Sequence, residues 1–288
     1  MSKYYRMLQY SGNALPISNL FAYSFRKVVS TATTSFRVRR SSDNAEQDIG
    51  FVGDDLDTTS LLTFVGAGNG FVTKMYEQNG SGKDLTQTVA TSQFQIVASG
   101  VVNTLNGKAS CITGISVSKF MTTLNLFNLS VVNGVSIFSV TKPITHIGGA
   151  FNVDWIYSIG AGGTSSPSRF FDNNISGAVG NPTTYNSNTQ AGGSLISTPY
   201  TSGTKLQGHF IKSGDNKYYQ NAVIVGSNSN SLVTPSSNQR LVINGISWSI
   251  GSTSSSNQYF SEILFYNSDE TSNLTAIQNN INSYYSIY

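Results

Sequence analysis

The sequence predicts an all-β protein: a jelly-roll sandwich of two antiparallel sheets with a few short helices, one of them at the C-terminus. Three observations predict it. Short β-rich runs bounded by Gly, Asn, Ser or Pro recur along most of the chain. Helical periodicity is convincing only near the end. There the apolar run Tyr259 to Tyr266 is followed by Leu274, Ile277, Ile281, Tyr284 and Tyr285, whose spacing places them on one helical face. A strand and helix of that kind need a broad apolar surface to cover, and the preceding strands supply it.

Taken in order, residues 1–17 read as an N-terminal arm or edge strand, and residues 18–288 as one sandwich. The aromatic start, with Tyr4, Tyr5 and Tyr10, is broken at Gly12 and Pro16. Residues 18–29 read as a short helix capped by Ser18 or Asn19, with Leu20, Tyr23, Phe25 and Val28 following. Ser35–Arg40 alternates as a strand, with Phe36 and Val38 opposed to Arg37 and Arg39. Asp57 or Thr58 caps a helix over Thr59–Phe64. Phe71–Tyr76 is a strand, and Asn79-Gly80-Ser81-Gly82 is a turn.

Further strands are expected at Phe94–Val97, Ile112–Val117, Val135–Val140, Phe151–Ile159, Tyr219–Val225, Arg240–Ile243 and Ile246–Ile250. Within Phe151–Ile159, simple alternation puts Phe151, Val153, Trp155 and Tyr157 on one face and Asn152, Asp154 and Ile156 on the other. Residues 160–205 are dense in Gly, Ser, Thr, Asn and Pro and read as long polar loops, the usual place for recognition.

Composition excludes several classes. Charged residues make up 11% of the chain, against roughly 25% in an average soluble protein. The net charge is only +3, and no block of Lys or Arg is dense enough to track phosphates, so no nucleic-acid partner is expected. One cysteine, Cys111, allows no internal disulfide and reads as a small buried residue. No secretory leader is evident at Met1–Met7, and no run approaches the roughly 18 apolar residues of a membrane span, so no membrane insertion is expected.

Candidate ligand-binding residues are few. Asp172, Asn173 and Tyr185 lie in the polar region and can hydrogen-bond or stack a sugar; Trp155 reads either as core or as a stacking platform. His146 and His209 stand too far apart in sequence for a zinc motif. Gly80-Ser81-Gly82-Lys83 ends in Asp84 and is a turn, not a phosphate loop. No cofactor is expected. Asp43 and Asp48 are the candidate ligands should calcium bind, although Asp43 equally caps its own turn.

Two stretches carry a resemblance. Ala22–Val28, Phe36–Phe51 with its Ser41-Ser42-Asp43 and Asp48-Ile49-Gly50, and Tyr76–Gln87 resemble the catalytic-domain module of α-L-arabinofuranosidase B, a module that also occurs in phage structural proteins. Glu77, Asn79 and Ser81 depart from that family's turn. Val135–Val140 and Phe260–Asn267, with the helix that follows, resemble a concanavalin A-like (LamG-type) lectin/glucanase domain. The first resemblance implies a glutamate nucleophile in a Trp- and Met-rich segment. Glu46, Glu77, Glu262 and Glu270 are the only glutamates, and none has that context.

The sequence is therefore read as a non-enzymatic virion component at the particle surface: a phage capsid decoration, head fibre or tail part. It is expected to associate with other virion proteins, to form a homo-oligomer and to bind host-surface glycans weakly. The alternatives are a glycoside hydrolase of arabinofuranosidase type and a cement protein without a sugar site.

Overall fold

The structure is a computed structural model and describes residues 15–114, 119–124, 127–146, 153–160, 169–178, 180–189, 195–232, 234–235, 239–245 and 256–288. Among these, the strands of four or more residues are, in chain order, β1 (Leu20–Ser24), β2 (Thr34–Arg40), β3 (Glu46–Val52), β4 (Gly70–Met75), β5 (Phe94–Ala98), β6 (Val135–Thr145), β7 (Val153–Gly160), β8 (Arg169–Ala178), β9 (Asn181–Thr189), β10 (Leu195–Pro199), β11 (Lys205–Ile211), β12 (Asn216–Gln220), β13 (Val223–Asn228), β14 (Arg240–Ile243) and β15 (Asn257–Tyr266). Among the described residues two α-helices accompany them, α1 (Thr58–Val65) and α2 (Leu274–Tyr285).

The strands form two antiparallel layers, as the sequence predicts. The back layer runs β13-β12-β11-β6-β15-β1. The front layer runs β10-β9-β8-β7-β14, then through Met121–Thr123 and Leu85–Thr86 to β4, β2 and β3. β4 also pairs with β5, which reaches β15 through Cys111–Ile112, so the layers are continuous on that side. On the opposite side the two edges abut: the Ile196 side chain of β10 packs against the bare Cα of Gly226 in β13, where a Cβ would collide with it.

The last strand is buried along nearly its whole length because both of its faces are covered. Ile263 and Phe265 point into the sandwich, where Phe265 meets Phe21 and Phe127. Leu264 and Tyr266 point outward beneath α2, whose Ile277, Ile281, Tyr284 and Tyr285 are the buried stripe predicted from their spacing. Each such aliphatic side chain contributes roughly 1.5–3 kcal/mol by leaving water.

Glu262, also on the helix side, is fully buried. It takes two hydrogen bonds from Arg26, Nε at 2.7 Å and Nη2 at 2.9 Å, and one from Ser24 Oγ at 2.7 Å. The Arg26 guanidinium lies over the Tyr284 and Tyr285 rings at 5.2 and 5.9 Å. The carboxylate holds the guanidinium proton against the burial that opposes it, and Arg26 stays charged.

Several expectations need correction. Residues 18–29 are not a helix: Leu20–Ser24 is a strand paired with Tyr266–Glu262, because burial on both faces and a waiting strand edge outweigh local helix spacing. Tyr219–Val225 is not one strand. Asn221 and Ala222 adopt positive φ (49° and 64°) and turn β12 back into β13. Residues 160–205 are not long loops where they are described; they hold β8, β9 and β10, paired in register.

By contrast, α1 is capped as predicted, Asp57 accepting from Ser60 N at 2.9 Å. The Asn79–Gly82 turn is held by Glu77, whose carboxylate accepts from the backbone N–H of Asn79 and of Ser81, both at 2.8 Å. The arm, Val117 and Ile246–Ile250 fall wholly or largely outside the described residues.

Two predictions arise from this core. Replacing Arg26 by Met leaves Glu262 buried without its cation and should lower unfolding free energy by about 3–5 kcal/mol, whereas the double variant Arg26→Met/Glu262→Met should recover most of that loss, both read from urea titration. The second concerns His209, sealed between Tyr157, Phe171 and Tyr218. Burial pushes its imidazole down to about 3, so the folded chain keeps it neutral while the unfolded chain takes up a proton near the ordinary value of about 6.5. Between those values the unfolded state binds more protons, and stability should fall as pH is lowered through that window; His209→Phe should make the fall shallower in urea midpoints compared at pH 7 and pH 4.

Candidate functional site

The four strands β7 to β10 place two kinds of residue on two faces, and a single irregularity decides which goes where. In the β7–β8 ladder Trp155 pairs with Asn174, yet Tyr157 pairs with Asn173. Ile156 is the extra residue of a β-bulge, so Trp155 and Tyr157 fall on opposite faces. The simple alternation predicted for this strand, with Trp155 and Tyr157 together, is corrected accordingly: a bulge shifts the period by one, and no residue type announces it.

The inner face carries Tyr157, Asn173, Ile175 and Tyr185, turned toward the back layer. Asn173 Nδ2 donates to Gln207 Oε1 at 2.8 Å, and Gln207 and Gln220 both donate to the Tyr218 hydroxyl, at 2.9 and 2.6 Å. Burial pushes the Tyr157 and Tyr218 hydroxyls well up, so both stay protonated and neutral. Tyr185 is stacked on Tyr200, with ring centroids 5.1 Å apart. Of the predicted sugar-contacting residues, Asn173 and Tyr185 therefore sit inside the sandwich.

The other face carries Trp155 and Asn174 with Ser176, Asn186 and Ser197. Asn186 Nδ2 donates to Asn174 Oδ1 at 3.0 Å and to Ser176 Oγ at 2.9 Å, while its Oδ1 accepts from Ser197 Oγ at 3.0 Å. Asp172 takes the register position opposite Ser158 and Asn188, two residues before Asn174 and so on this same face. Trp155, Asn174 and Asn186 are only 5%, 2% and 7% exposed, so these amides make their hydrogen bonds away from bulk water. The register thus puts Trp155 and the Asp172 position on one face, and Asn174, Asn186 and Ser197 join them unforeseen. The signal was present: Phe171, Asn173 and Ile175 alternate with Asp172, Asn174 and Ser176.

At one end of these strands, His146 Nδ1 lies 2.9 Å from Asp154 Oδ2 and its Nε2 lies 2.8 Å from the Gly177 carbonyl, tying the end of β6 to β7 and β8. Most carboxylates elsewhere with described side chains have structural partners. Asp43 pairs with Arg40, which holds its carboxyl down to about 2, and also accepts from its own turn at Ala45 N. Asp48 pairs with Arg37 and accepts from the Tyr76 hydroxyl. Asp55 and Asp269 meet Lys108 and Lys212, and Glu270 accepts from Ser268 and Asn273. The two calcium candidates are thus each engaged by an arginine, and among the described residues no group of three or more His, Cys, Asp or Glu side chains is arranged to hold a metal ion. Cys111 is fully buried, with its thiol pushed up by burial. No described helix is long and apolar enough to cross a membrane.

No family model and no curated protein matches the sequence. Solved structures match the fold. A variant GH54 α-L-arabinofuranosidase soaked with 4-nitrophenyl α-L-arabinofuranoside superposes with a TM-score of 0.67 at 14% identity, over 91% of this chain and 62% of that one. An arabinofuranosidase complexed with arabinofuranosyl-α-1,2-xylobiose gives 0.64 at 15% identity with the same coverage. The Trypanosoma rangeli sialidase in complex with the inhibitor DANA gives 0.50 at 10% identity, over 72% of this chain and 30% of that one. The chain spans about three-fifths of the arabinofuranosidases it matches.

The fold is therefore β-rich and resembles the arabinofuranosidase module, as the motifs at residues 22–87 implied. The expectation of a non-enzymatic protein is corrected by the same finding: the arabinofuranosidases and the sialidase just described share this architecture, which points toward a hydrolase fold. The virion reading rested on surface composition and on the resemblance to modules in phage proteins, and these neighbours lend it no support.

Proposed function

We propose that the chain is a glycoside hydrolase module acting on α-L-arabinofuranosyl groups, with the sugar held on the face of β7 to β10. The observation that carries this reading is the grouping on that face. Trp155 carries an apolar ring suited to the C–H side of a furanose, Asn174, Asn186 and Ser197 line the same face as a hydrogen-bonded polar set, and Asp172 holds a register position on it. The arabinofuranosidase fold match supports the choice of sugar.

Asp172 is assigned as nucleophile. Its carboxylate attacks the anomeric carbon, the bond to the leaving oxygen breaks with the electron pair going to that oxygen, and water then hydrolyses the glycosyl ester. A poor leaving group also needs a proton donor, for which retaining enzymes place a second carboxylate about 5–5.5 Å away. Asp154, on the neighbouring strand, lies on the inner face beside His146 and does not fill that role. An aryl glycoside whose phenolate departs unprotonated is thus the discriminating substrate.

Incubated with 4-nitrophenyl α-L-arabinofuranoside, the protein should release nitrophenolate, and Asp172→Asn should lower kcat/KM by roughly 10³-fold or more while leaving the thermal midpoint near that of the native chain. No release by the native protein, or full activity in Asp172→Asn, would reject the assignment.

A further inference from the structure

The bulge that separates Trp155 from Tyr157 is held from outside its own strand pair. The Ile156 carbonyl accepts a hydrogen bond from the backbone N–H of Asn244 at 2.8 Å. Asn244 ends β14 in the left-handed region, with φ 60°, a conformation asparagine tolerates better than most residues. Its fully buried side chain fixes that conformation. Nδ2 donates to the Lys119 carbonyl at 2.7 Å, and Oδ1 accepts from Ser256 N at 3.0 Å, Ser256 Oγ at 2.6 Å and Gln258 Nε2 at 3.2 Å. One amide thus joins the segment before Met121, the end of β14 and the start of β15, and delivers its own N–H to the bulge. Next to it, Ser158 Oγ donates to the Gly245 carbonyl at 2.9 Å and pins the strand just past the bulge.

We infer that Asn244 is a positioning residue for the proposed saccharide site: it acts through the Ile156 bulge to keep the Trp155 ring on the face shared with Asp172 and Asn174. This rests on the site assigned above. The physical reason is the two-residue repeat of a strand. An extra residue held in place sends Trp155 outward while Tyr157 stays in the sandwich; a bulge free to migrate along the strand returns the two to one face and takes the ring off the site. A bulge is a local defect in the ladder, so it needs a partner for the carbonyl it frees, and Asn244 N–H is that partner.

The test uses Asn244→Gly, which keeps the positive φ and removes the side-chain contacts, and the milder Ser256→Ala, which removes one donor to Oδ1. With 4-nitrophenyl α-L-arabinofuranoside as probe, Trp155→Ala and Asn244→Gly should each raise KM roughly tenfold with kcat changed less than about threefold, and the double variant should be no worse than Trp155→Ala alone, because both remove the same contact. KM effects that multiply in the double variant would overturn the inference.

A second readout needs no ligand and separates this inference from the proposed activity. In a Trp248→Phe background, emission from Trp155 should shift in Asn244→Gly, as the ring leaves its amide-lined face, and by a smaller amount in Ser256→Ala. Unshifted emission in Asn244→Gly would overturn the positioning role even if the native protein turns over the substrate. Failure of the native protein to bind or cleave the arabinofuranoside, with the emission shift present, would instead reject the site assignment and leave Asn244 as the anchor of the bulge.

Discussion

The interaction on which the architecture turns is the buried pair of Glu262 and Arg26. Glu262 lies in the middle of the last strand, on the face that α2 covers, and Arg26 lies just past the first strand, β1. A carboxylate withdrawn from water is tolerated only if its oxygens are met by donors; here Arg26 and Ser24 supply them, and the Tyr285 hydroxyl stands at 3.5 Å. The pair joins β1, near the start of the chain, to β15 and to the α2 that follows it. It fixes β1 beside β15 in a register that puts Phe21 and Tyr23 into the sandwich and Leu20 and Ala22 under the helix. The same requirement that sets the register positions the Tyr284 and Tyr285 rings over the guanidinium.

From that strand the back layer is built outward through β6 and β11, and it offers the front layer a surface that is polar as well as apolar. Gln207, Tyr218 and Gln220 meet Asn173 in the space between the sheets. This buried network commits Asn173, and hence β8, to one orientation. The alternate positions of β8, Asp172 and Asn174, are then committed to the other face, where the Ile156 bulge adds Trp155. The face proposed to hold a sugar follows from which amides the core claims for itself.

The elements legible in the sequence were those whose burial is one-sided and apolar. The tail helix was readable because Ile277, Ile281, Tyr284 and Tyr285 repeat at helical spacing, and β2 because Phe36 and Val38 alternate with arginines. β1 was not, since Leu20–Ser24 is short and apolar on both sides, leaving its periodicity without a contrast. Strands β8 to β10 were hidden for the opposite reason: their outward positions are Asn, Ser and Thr, satisfied by one another across the ladder, and such a composition reads as loop. The turn at Asn221–Ala222 lacked the glycine that usually marks it. For the site, Trp155 and Asp172 were singled out from residue type alone, but placing them together required the bulge, a one-residue shift that only the pairing reveals.

The central claim is that Asp172 is the carboxylate that meets the anomeric carbon of a furanose on this face. Mass-spectrometric peptide mapping after incubation with an arabinofuranosyl-configured cyclic sulfate tests it most directly, since a nucleophilic carboxylate opens that ring and keeps the sugar as an ester. The account predicts one adduct per chain, on the peptide that contains Asp172. An unmodified chain, or an adduct confined to another carboxylate such as Asp154 or Asp54, would contradict it.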